Sequence, residues 1–287
     1  MAAGIIIVDK PAGWTSHDVV AKLRGALHER RVGHGGTLDP MATGVLPVFA
    51  GRATRAVEFF ESAEKAYLCT LRLGTVTDTD DTTGRVLSQQ VPEVSEAALL
   101  EVLPSFVGPQ DQLPPMYSAV KIHGKKLYEL ARAGVEAERT PRRIEIFELE
   151  LRSFDGLDAL LRVRCSKGTY IRTLCHDLGE ALGCGGTMAS LRRTCAGVYD
   201  LAQAHALEEV LADPFSCLLP VDSLFSDRPS LTIDGLQLQR CRNGNAFPVS
   251  CADGEWRVYD AEGVFLMLGR AEAGSMKTIK SFFEVSV

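Results

Sequence analysis

The sequence predicts an α+β fold, and three observations carry that reading. The chain opens on an unbroken apolar run, Gly4-Ile5-Ile6-Ile7-Val8, short enough to be a buried strand. Strand-like and helix-like segments then mix without the regular strand–helix–strand alternation of a parallel α/β sheet. From about residue 229 the chain turns into short β-forming stretches split by Asn243-Gly244, Asp253-Gly254 and Glu262-Gly263.

The elements follow in order. Residues 4–9 form the first strand. Ser16 is expected to cap a helix that carries Val20, Leu23 and Leu27 on one face. Val45-Leu46-Pro47-Val48-Phe49 is a short apolar strand, residues 53–62 are helical, and Tyr67 to Leu73 is strand-like. Helices are expected from Ser95 to Leu103 and from Lys125 to Ala133, the second stopped by Gly134. Residues 144–146, 148–152 and 161–165 alternate as strands do. Ile171, Leu174, Cys175, Leu178 and Leu182 have helical spacing, ended by Gly183. In the tail, strands are expected around Trp256–Tyr259 and Phe265–Leu268.

A length of 287 residues suggests about two domains. The boundary is placed near Ser226-Asp227-Arg228-Pro229, giving residues 1–228 and a small β-rich unit, 229–287. No run of eighteen apolar residues exists, so no membrane span is expected. The N-terminal apolar run is too short for a signal peptide and lacks a basic stretch before it, so a cytoplasmic location is expected. Eight cysteines lie scattered, with no CxxC pair. That pattern fits core thiols in a reducing compartment, with neither disulfide nor structural metal.

The net charge of −6 argues against a nucleic-acid partner until it is divided along the chain. Residues 1–55 carry +3 and residues 112–200 carry +3, whereas residues 56–111 carry −7 and residues 201–287 carry −5. Local patches, not the total, attract phosphates.

The densest motif is Arg31-Val32-Gly33-His34-Gly35-Gly36-Thr37-Leu38-Asp39-Pro40-Met41-Ala42-Thr43-Gly44. Glycines ahead of Asp39 permit tight bending and close approach to a ligand. Pro40 removes an amide donor and biases Asp39 away from helical geometry. The loop can therefore hold one carboxylate at a fixed angle, although a plain surface turn with Asp39 as a cap explains the same residues. A second candidate, Cys165-Ser166-Lys167-Gly168-Thr169-Tyr170-Ile171-Arg172, sits where a strand gives way to a helix. There an arginine can pair with a carboxylate and a tyrosine can stack on a base.

Gly33-His34-Gly36-Thr37-Leu38-Asp39-Pro40, followed by Ala42, Gly44 and Leu46, resembles the signature loop of the TruB family, the bacterial tRNA pseudouridine-55 synthases. The similarity extends through separate blocks from residue 4 to about 200. These are Lys10-Pro11-Ala12-Gly13, Tyr67 after Glu64-Lys65-Ala66, residues 115–132, Tyr170 with Arg172, and Leu191-Arg192-Arg193-Thr194. The resemblance implies a pseudouridine-synthase-like, mainly antiparallel mixed sheet flanked by helices, with a small PUA-like RNA-binding unit at the C-terminus. It also implies a mobile RNA-clamping insertion around 114–143.

By carry-over Asp39 is the nucleophile, and Arg172 pairs with it and keeps it charged. Tyr67 stacks on the target base and is a candidate for moving the C5 proton, and Tyr170 lines the site. Leu191 lies against the nucleoside, with Arg192 and Arg193 near phosphates. His34 is either a base beside Asp39 or the flat ring that fills the place of a flipped-out base. Lys10 holds a phosphate or is solvated. An ordinary edge strand remains the other reading of 191–194.

The implied reaction converts uridine to pseudouridine in the TΨC loop of tRNA. It needs no cofactor or metal, because substrate and product are isomers. The expected partner is the tRNA T-arm, with no membrane, no obligatory protein partner and a monomeric state. Two other readings stay open: a non-catalytic tRNA-folding chaperone and a guide-RNA-dependent relative. Three further patterns are set aside. Asp78, Asp80 and Asp81 lack the glycine and final glutamate of a calcium loop, with Thr83 and Gln89 in those places. Gly33-His34-Gly35 lacks the third glycine of a dinucleotide loop. Cys175 and His176 are helix neighbours that point apart.

Overall fold

The computed structural model describes residues 3–283 apart from 119, 123 and 136. Ala119 of the 115–132 block therefore lies outside the described residues, as do the side chains of Lys121 and Arg132. The centre is one mixed sheet. Its strands run in the order His205–Ala206, Gly4–Lys10, Thr43–Ala50, Gly186–Ala196, Lys65–Leu73, Asp158–Cys165, Arg142–Phe154 and Gly108–Gln112. Val32–His34 pairs onto Thr43–Ala50, and Tyr199–Asp200 onto Gly186–Ala196. Two of these pairings are parallel, 8–9 with 205–206 and 192–193 with 43–44, and the rest are antiparallel.

The opening apolar run is explained by this layering. Side chains of a strand alternate between faces. Ile6 and Val8 enter a cluster with Val19, Val20, Leu23, Leu174, Leu178 and Leu99, contributed by helices Ser16–Ala26, Ile171–Ala181 and Glu96–Val102. Ile5 and Ile7 point the other way, to Phe49, Phe60, Tyr199 and Phe225. Both faces are covered, so every residue of the run must be apolar. In contrast, Asp158–Cys165 alternates. Ala159, Leu161, Val163 and Cys165 are buried, while Arg162 and Arg164 reach out to Glu148, Glu150 and Glu64.

Two expectations about the first helix and the 186–196 strand need correction. The N-cap is Thr15, one residue before Ser16. The Thr15 hydroxyl accepts the Asp18 amide at 3.0 Å and the Asp18 carboxylate accepts the Thr15 amide at 2.9 Å, a closed capping box. Ser16 is thereby free to turn inward. Residues 191–194 do not belong to an edge strand: Gly186–Ala196 lies in the middle of the sheet, between Thr43–Ala50 and Lys65–Leu73. Its alternation is hidden by register shifts after Met188 and after Arg193, each of which moves the inward set by one residue.

The C-terminal residues form a five-stranded sheet in the order Ser230–Thr232, Gly254–Tyr259, Phe265–Glu272, Ser275–Ser281 and Phe247–Pro248. The expected strands are there, longer than anticipated. Asn243-Gly244 ends a helix, Gly235–Arg242, and is not a hairpin turn. The tight hairpin is instead Ala273-Gly274, both at positive φ (49° and 75°), as a two-residue loop of the primed type requires. An aromatic chain ties this sheet to the body. Phe59 meets Phe225 at 5.4 Å, and Phe265 stacks on Phe282 at 5.3 Å next to Phe225. The Tyr259 hydroxyl donates to Asp222 at 2.6 Å.

The first helix ends in a Schellman motif. The His28 amide donates to Gly25 at 3.3 Å and the Glu29 amide to Arg24 at 3.2 Å. His28 occupies the left-handed position (φ 50°) that glycine usually holds. Replacing it with glycine removes a steric cost of about 1–2 kcal/mol and returns part of it as unfolded-chain entropy. The expected outcome for His28→Gly is a higher urea midpoint, worth up to about 1 kcal/mol; an unchanged or lower midpoint contradicts the strain assignment.

Candidate active site

The loop around Asp39 is pinned residue by residue. The Gly35 amide donates to the Pro47 carbonyl at 2.8 Å. The Ser16 hydroxyl accepts the Leu38 amide at 2.9 Å and donates to the Leu38 carbonyl at 3.1 Å. The Pro40 carbonyl accepts the Gly13 amide at 2.8 Å and the Lys10 ammonium at 3.3 Å. Arg193, only 1 % exposed, donates to the carbonyls of Val45 (2.7 Å), Gly36 (3.1 Å) and Thr37 (3.5 Å). Gly36 (φ 98°) and Gly44 (φ 101°) bound the loop in conformations that other residues rarely adopt. A Cβ on Gly44 would lie 2.2 Å from the Arg193 carbonyl oxygen, so strand 186–196 can approach only there.

Asp39 meets Arg172 at the far side of this loop. The Arg172 Nε stands 2.9 Å from Asp39 Oδ2, with Arg172 5 % and Asp39 36 % exposed. The two terminal nitrogens of Arg172 donate to the carbonyls of Thr79 (3.0 Å) and Tyr117 (2.8 Å). Asp81 stands behind, 3.9 Å from Arg172 Nε. One guanidinium thus joins the catalytic-looking loop, the 77–82 turn and the 114–118 segment. Such charge-assisted contacts are roughly twice as strong as neutral ones. The carboxylate keeps a solvent-facing side on which a ligand can be attacked.

The other expected residues gather around this pair with roles modified by burial. Tyr67 is buried and in hydrogen-bonding reach of Arg193. Burial pushes its hydroxyl up to about 12, against the opposing pull of Arg193, so it is a neutral phenol. His34 lies at the end of its strand, its ring 5.3 Å from that of His17 and nearly perpendicular to it. Burial first, then His17 and Arg193, lower it from 6.5 to about 4, and its Nδ1 has no partner among the described residues. Near neutral pH this ring is uncharged. Tyr170 caps helix 171–181 from a backbone clamp. Its amide donates to Gln112 Oε1 at 2.8 Å and its carbonyl accepts Gln112 Nε2 at 3.0 Å. Leu191 is buried opposite Cys69.

Lys10 and Arg193 depart from expectation. Lys10 is 0 % exposed and donates to the carbonyls of Pro11 (2.9 Å), Trp14 (2.6 Å) and Pro40. Burial lowers it to about 8, with Asp39 opposing. It holds the loop from behind and has no exposed surface. Arg193 does the same, while Arg192 pairs with Asp9 at 2.7 Å. Among the described residues no three His, Cys, Asp or Glu side chains cluster as a metal site.

Comparison with known proteins decides the family. Residues 24–171 match the family model of the TruB family pseudouridylate synthase N-terminal domain, and residues 172–226 match the tRNA pseudouridylate synthase B C-terminal domain. The chain belongs to the TruB family of pseudouridine synthases. Relatives named tRNA pseudouridine synthase B include one from Azoarcus sp. (strain BH72), 43 % identical over 96 % of this chain and 93 % of its own. Another, from Clostridium kluyveri, is 38 % identical over 97 % and 99 %. Among solved structures, the Cbf5-Nop10-Gar1 complex contains a chain 27 % identical, with a TM-score of 0.74 over 98 % of this chain and 85 % of that one. The expected family and its mixed, mainly antiparallel architecture are therefore both found. Among the described residues, no helix of this pseudouridine synthase is long and apolar enough to cross a membrane.

Sequence reading missed the residues that fix the site without facing it. Ser16, Gln112 and Thr79 carry no local signal, because they act across 22, 58 and 93 residues of chain. Asp81 stood in the acidic run set aside as a failed calcium loop. Its carboxylate instead closes the 79–83 turn, accepting the Thr83 amide at 2.9 Å and the Thr79 hydroxyl at 2.9 Å.

Two measurements check this geometry. Gly44→Ala should destabilise the protein by more than about 2 kcal/mol in urea unfolding, because strained φ and a backbone clash coincide; a smaller loss contradicts the close approach. Between pH 6.5 and about 4 the unfolded chain binds a proton at His34 that the folded chain refuses. Acid therefore lowers stability through His34, by up to about 3 kcal/mol at pH 4. Urea midpoints of His34→Phe should fall less than wild type over that interval, and parallel curves would show that His34 titrates normally.

Proposed function

We propose that this enzyme isomerises the uridine at position 55 in the TΨC loop of tRNA, with Asp39 as nucleophile. The coarser statement, pseudouridine formation in tRNA, goes with the family. The single observation that carries the finer one is the half-exposed Asp39 carboxylate fixed on the buried Arg172. A nucleophile held on a rigid scaffold meets its target without losing orientational freedom in the reaction.

The target base is stacked inside a folded RNA loop and must be flipped out to reach Asp39. His34, neutral and at the mouth, is suited to fill the vacated space as a flat ring. Its lowered pKa makes it a weak base, which favours this role over a catalytic dyad. Tyr67 and Tyr170 flank the base and Leu191 supplies an apolar wall. Asp39 attacks the sugar or the base, or promotes elimination. The N1–C1′ bond breaks, the uracil turns, and a C5–C1′ bond forms with loss of the C5 proton. Tyr67 holds its own proton in the free enzyme, so it takes up the C5 proton only if substrate first draws that proton away.

The 114–143 segment is proposed as the clamp over the T-arm. Tyr117 in it already touches Arg172, which links closure to the catalytic pair. Residues 1–228 are proposed as the catalytic domain, and 229–287 as a PUA-like unit that contributes little by charge, since residues 201–287 carry −5. Action without a guide RNA or an obligatory protein partner is proposed from the match to relatives named tRNA pseudouridine synthase B over nearly their whole length, and a monomeric state is proposed with it.

The test is tritium release from C5-labelled uridine in a T-arm stem-loop. Wild type should release it, and Asp39→Ala should lose at least about 1,000-fold in single-turnover rate while binding the RNA within about threefold. Surviving activity in Asp39→Ala contradicts the nucleophile. Tight wild-type binding without release favours the chaperone reading.

A further inference from the structure

We propose that Asp80 and His176 are positioning residues for the catalytic pair: the buried Nδ1 of His176 donates to the Asp80 carboxylate and locks the 77–82 turn onto the helix that carries Arg172. The inference rests on the isomerase reading of Asp39 and Arg172. Neither Asp80 nor His176 takes part in the chemistry above. One comes from the acidic run that fails as a calcium loop, the other from the Cys175-His176 neighbours.

Arg172 and His176 lie four residues apart on helix Ile171–Ala181 and so share a face. Both meet the same turn. The Arg172 guanidinium donates to the Thr79 carbonyl at 3.0 Å, and His176 Nδ1 stands 3.6 Å from Oδ1 of the next residue, Asp80. The turn also hangs on the central sheet. The Met188 amide donates to the Asp80 carbonyl and the Thr82 amide to the Met188 carbonyl, both at 3.0 Å. The turn thus has a backbone anchor on the sheet and side-chain anchors on the helix. The Thr79 carbonyl, which fixes Arg172 and through it Asp39, belongs to the piece of chain that these anchors hold.

Two independent observations point to this contact. His176 Nδ1 is buried and has no hydrogen-bond partner among the described residues. A buried polar atom left unpaired is costly, and a shift of about 0.6 Å toward Asp80 brings the pair to ordinary hydrogen-bond length. Active-site contacts are often long in the free enzyme and tighten when substrate binds. Asp80, for its part, sits in the left-handed region at φ 60°. Aspartate visits this region more readily than most residues, but glycine does so without steric cost. A partly buried carboxylate is therefore kept here against both strain and desolvation. Burial raises the Asp80 carboxyl above its ordinary value. His176 first, then Arg172 and Arg139, oppose that rise, and Asp81 adds to it. Arg139 lies in the 114–143 segment, whose Tyr117 carbonyl also accepts from Arg172. The carboxylate thus faces cations from the helix and from the proposed clamp. When that segment settles over RNA, Asp80 is drawn onto His176 and Arg172 keeps its acceptor.

The experiment measures single-turnover tritium release and T-arm stem-loop affinity for His176→Leu, His176→Asn, Asp80→Gly and the double variant H176L/D80G. His176→Leu and Asp80→Gly should each slow release about tenfold, as expected for one lost hydrogen bond to a charged group, while binding RNA within about twofold of wild type. Asparagine carries an amide donor close to where Nδ1 stands, so His176→Asn should keep the wild-type rate within about twofold. The double variant should be no slower than either single one, because both remove the same contact. Asp80→Gly relieves the left-handed strain, so its urea midpoint should not fall below that of wild type. A midpoint that does fall assigns its rate loss to folding and counts against the proposal. Losses that multiply to about a hundredfold in the double variant overturn the pairing. A loss in His176→Asn as deep as in His176→Leu overturns it too. If wild type releases no tritium, the isomerase reading falls and the positioning role with it. An active wild type matched by His176→Leu and Asp80→Gly removes the positioning role alone.

Discussion

The Arg172 guanidinium is the constraint around which the site is assembled. Burying a charge of this kind is costly, and the cost is met only if every donor finds an acceptor in good geometry. Here the acceptors come from three separate stretches of chain: Asp39, the Thr79 carbonyl and the Tyr117 carbonyl. The helix that carries Arg172 is held in turn by its apolar face against the central sheet and by the Gln112 clamp on Tyr170. The ion pair is therefore a meeting point. Moving any of the three stretches leaves a buried positive charge short of a partner, and so the carboxylate position is dictated by the fold as a whole.

Opposite Arg172, two further buried cations act on the backbone of the same loop. Lys10 and Arg193 donate to carbonyls on either side of Asp39, and among the described residues neither forms an ion pair with a carboxylate. Their positive charge makes a carboxylate welcome in the cleft, while their hydrogen bonds stop it from wandering. Neutral aromatic groups complete the surroundings: a phenol at Tyr67 and an uncharged imidazole at His34. The cleft thus presents one fixed negative group and flat, uncharged rings to a nucleoside. That combination suits a reaction in which a base must be unstacked, cut from its sugar and turned.

Much of this was legible in the sequence, for identifiable reasons. Elements with strong periodicity, such as residues 171–182 and 161–165, read correctly because one face is buried and the other is not. The Asp39 and Arg172 blocks were visible as motifs, and their meeting confirms a pairing that only resemblance supplied. Gly186–Ala196 was not legible as a central strand, because its bulges break the alternation. Lys10 and Arg193 were misplaced because a lysine or arginine in sequence looks like a surface cation. Only the three-dimensional placement of backbone carbonyls reveals a buried one. Ser16, Thr79 and Gln112 act through single long-range hydrogen bonds, which leave no trace in composition or period.

The central claim is that Asp39, anchored on Arg172, touches the flipped target nucleoside. The most direct test is an experimental structure of the enzyme bound to a T-arm stem-loop. The account predicts the target uridine outside its stack, with the free oxygen of Asp39 about 3–3.5 Å from the sugar or base carbon that reacts and Arg172 still on the other oxygen. A complex in which the uridine stays stacked, or in which Asp39 faces away from it while Arg172 binds elsewhere, would contradict it.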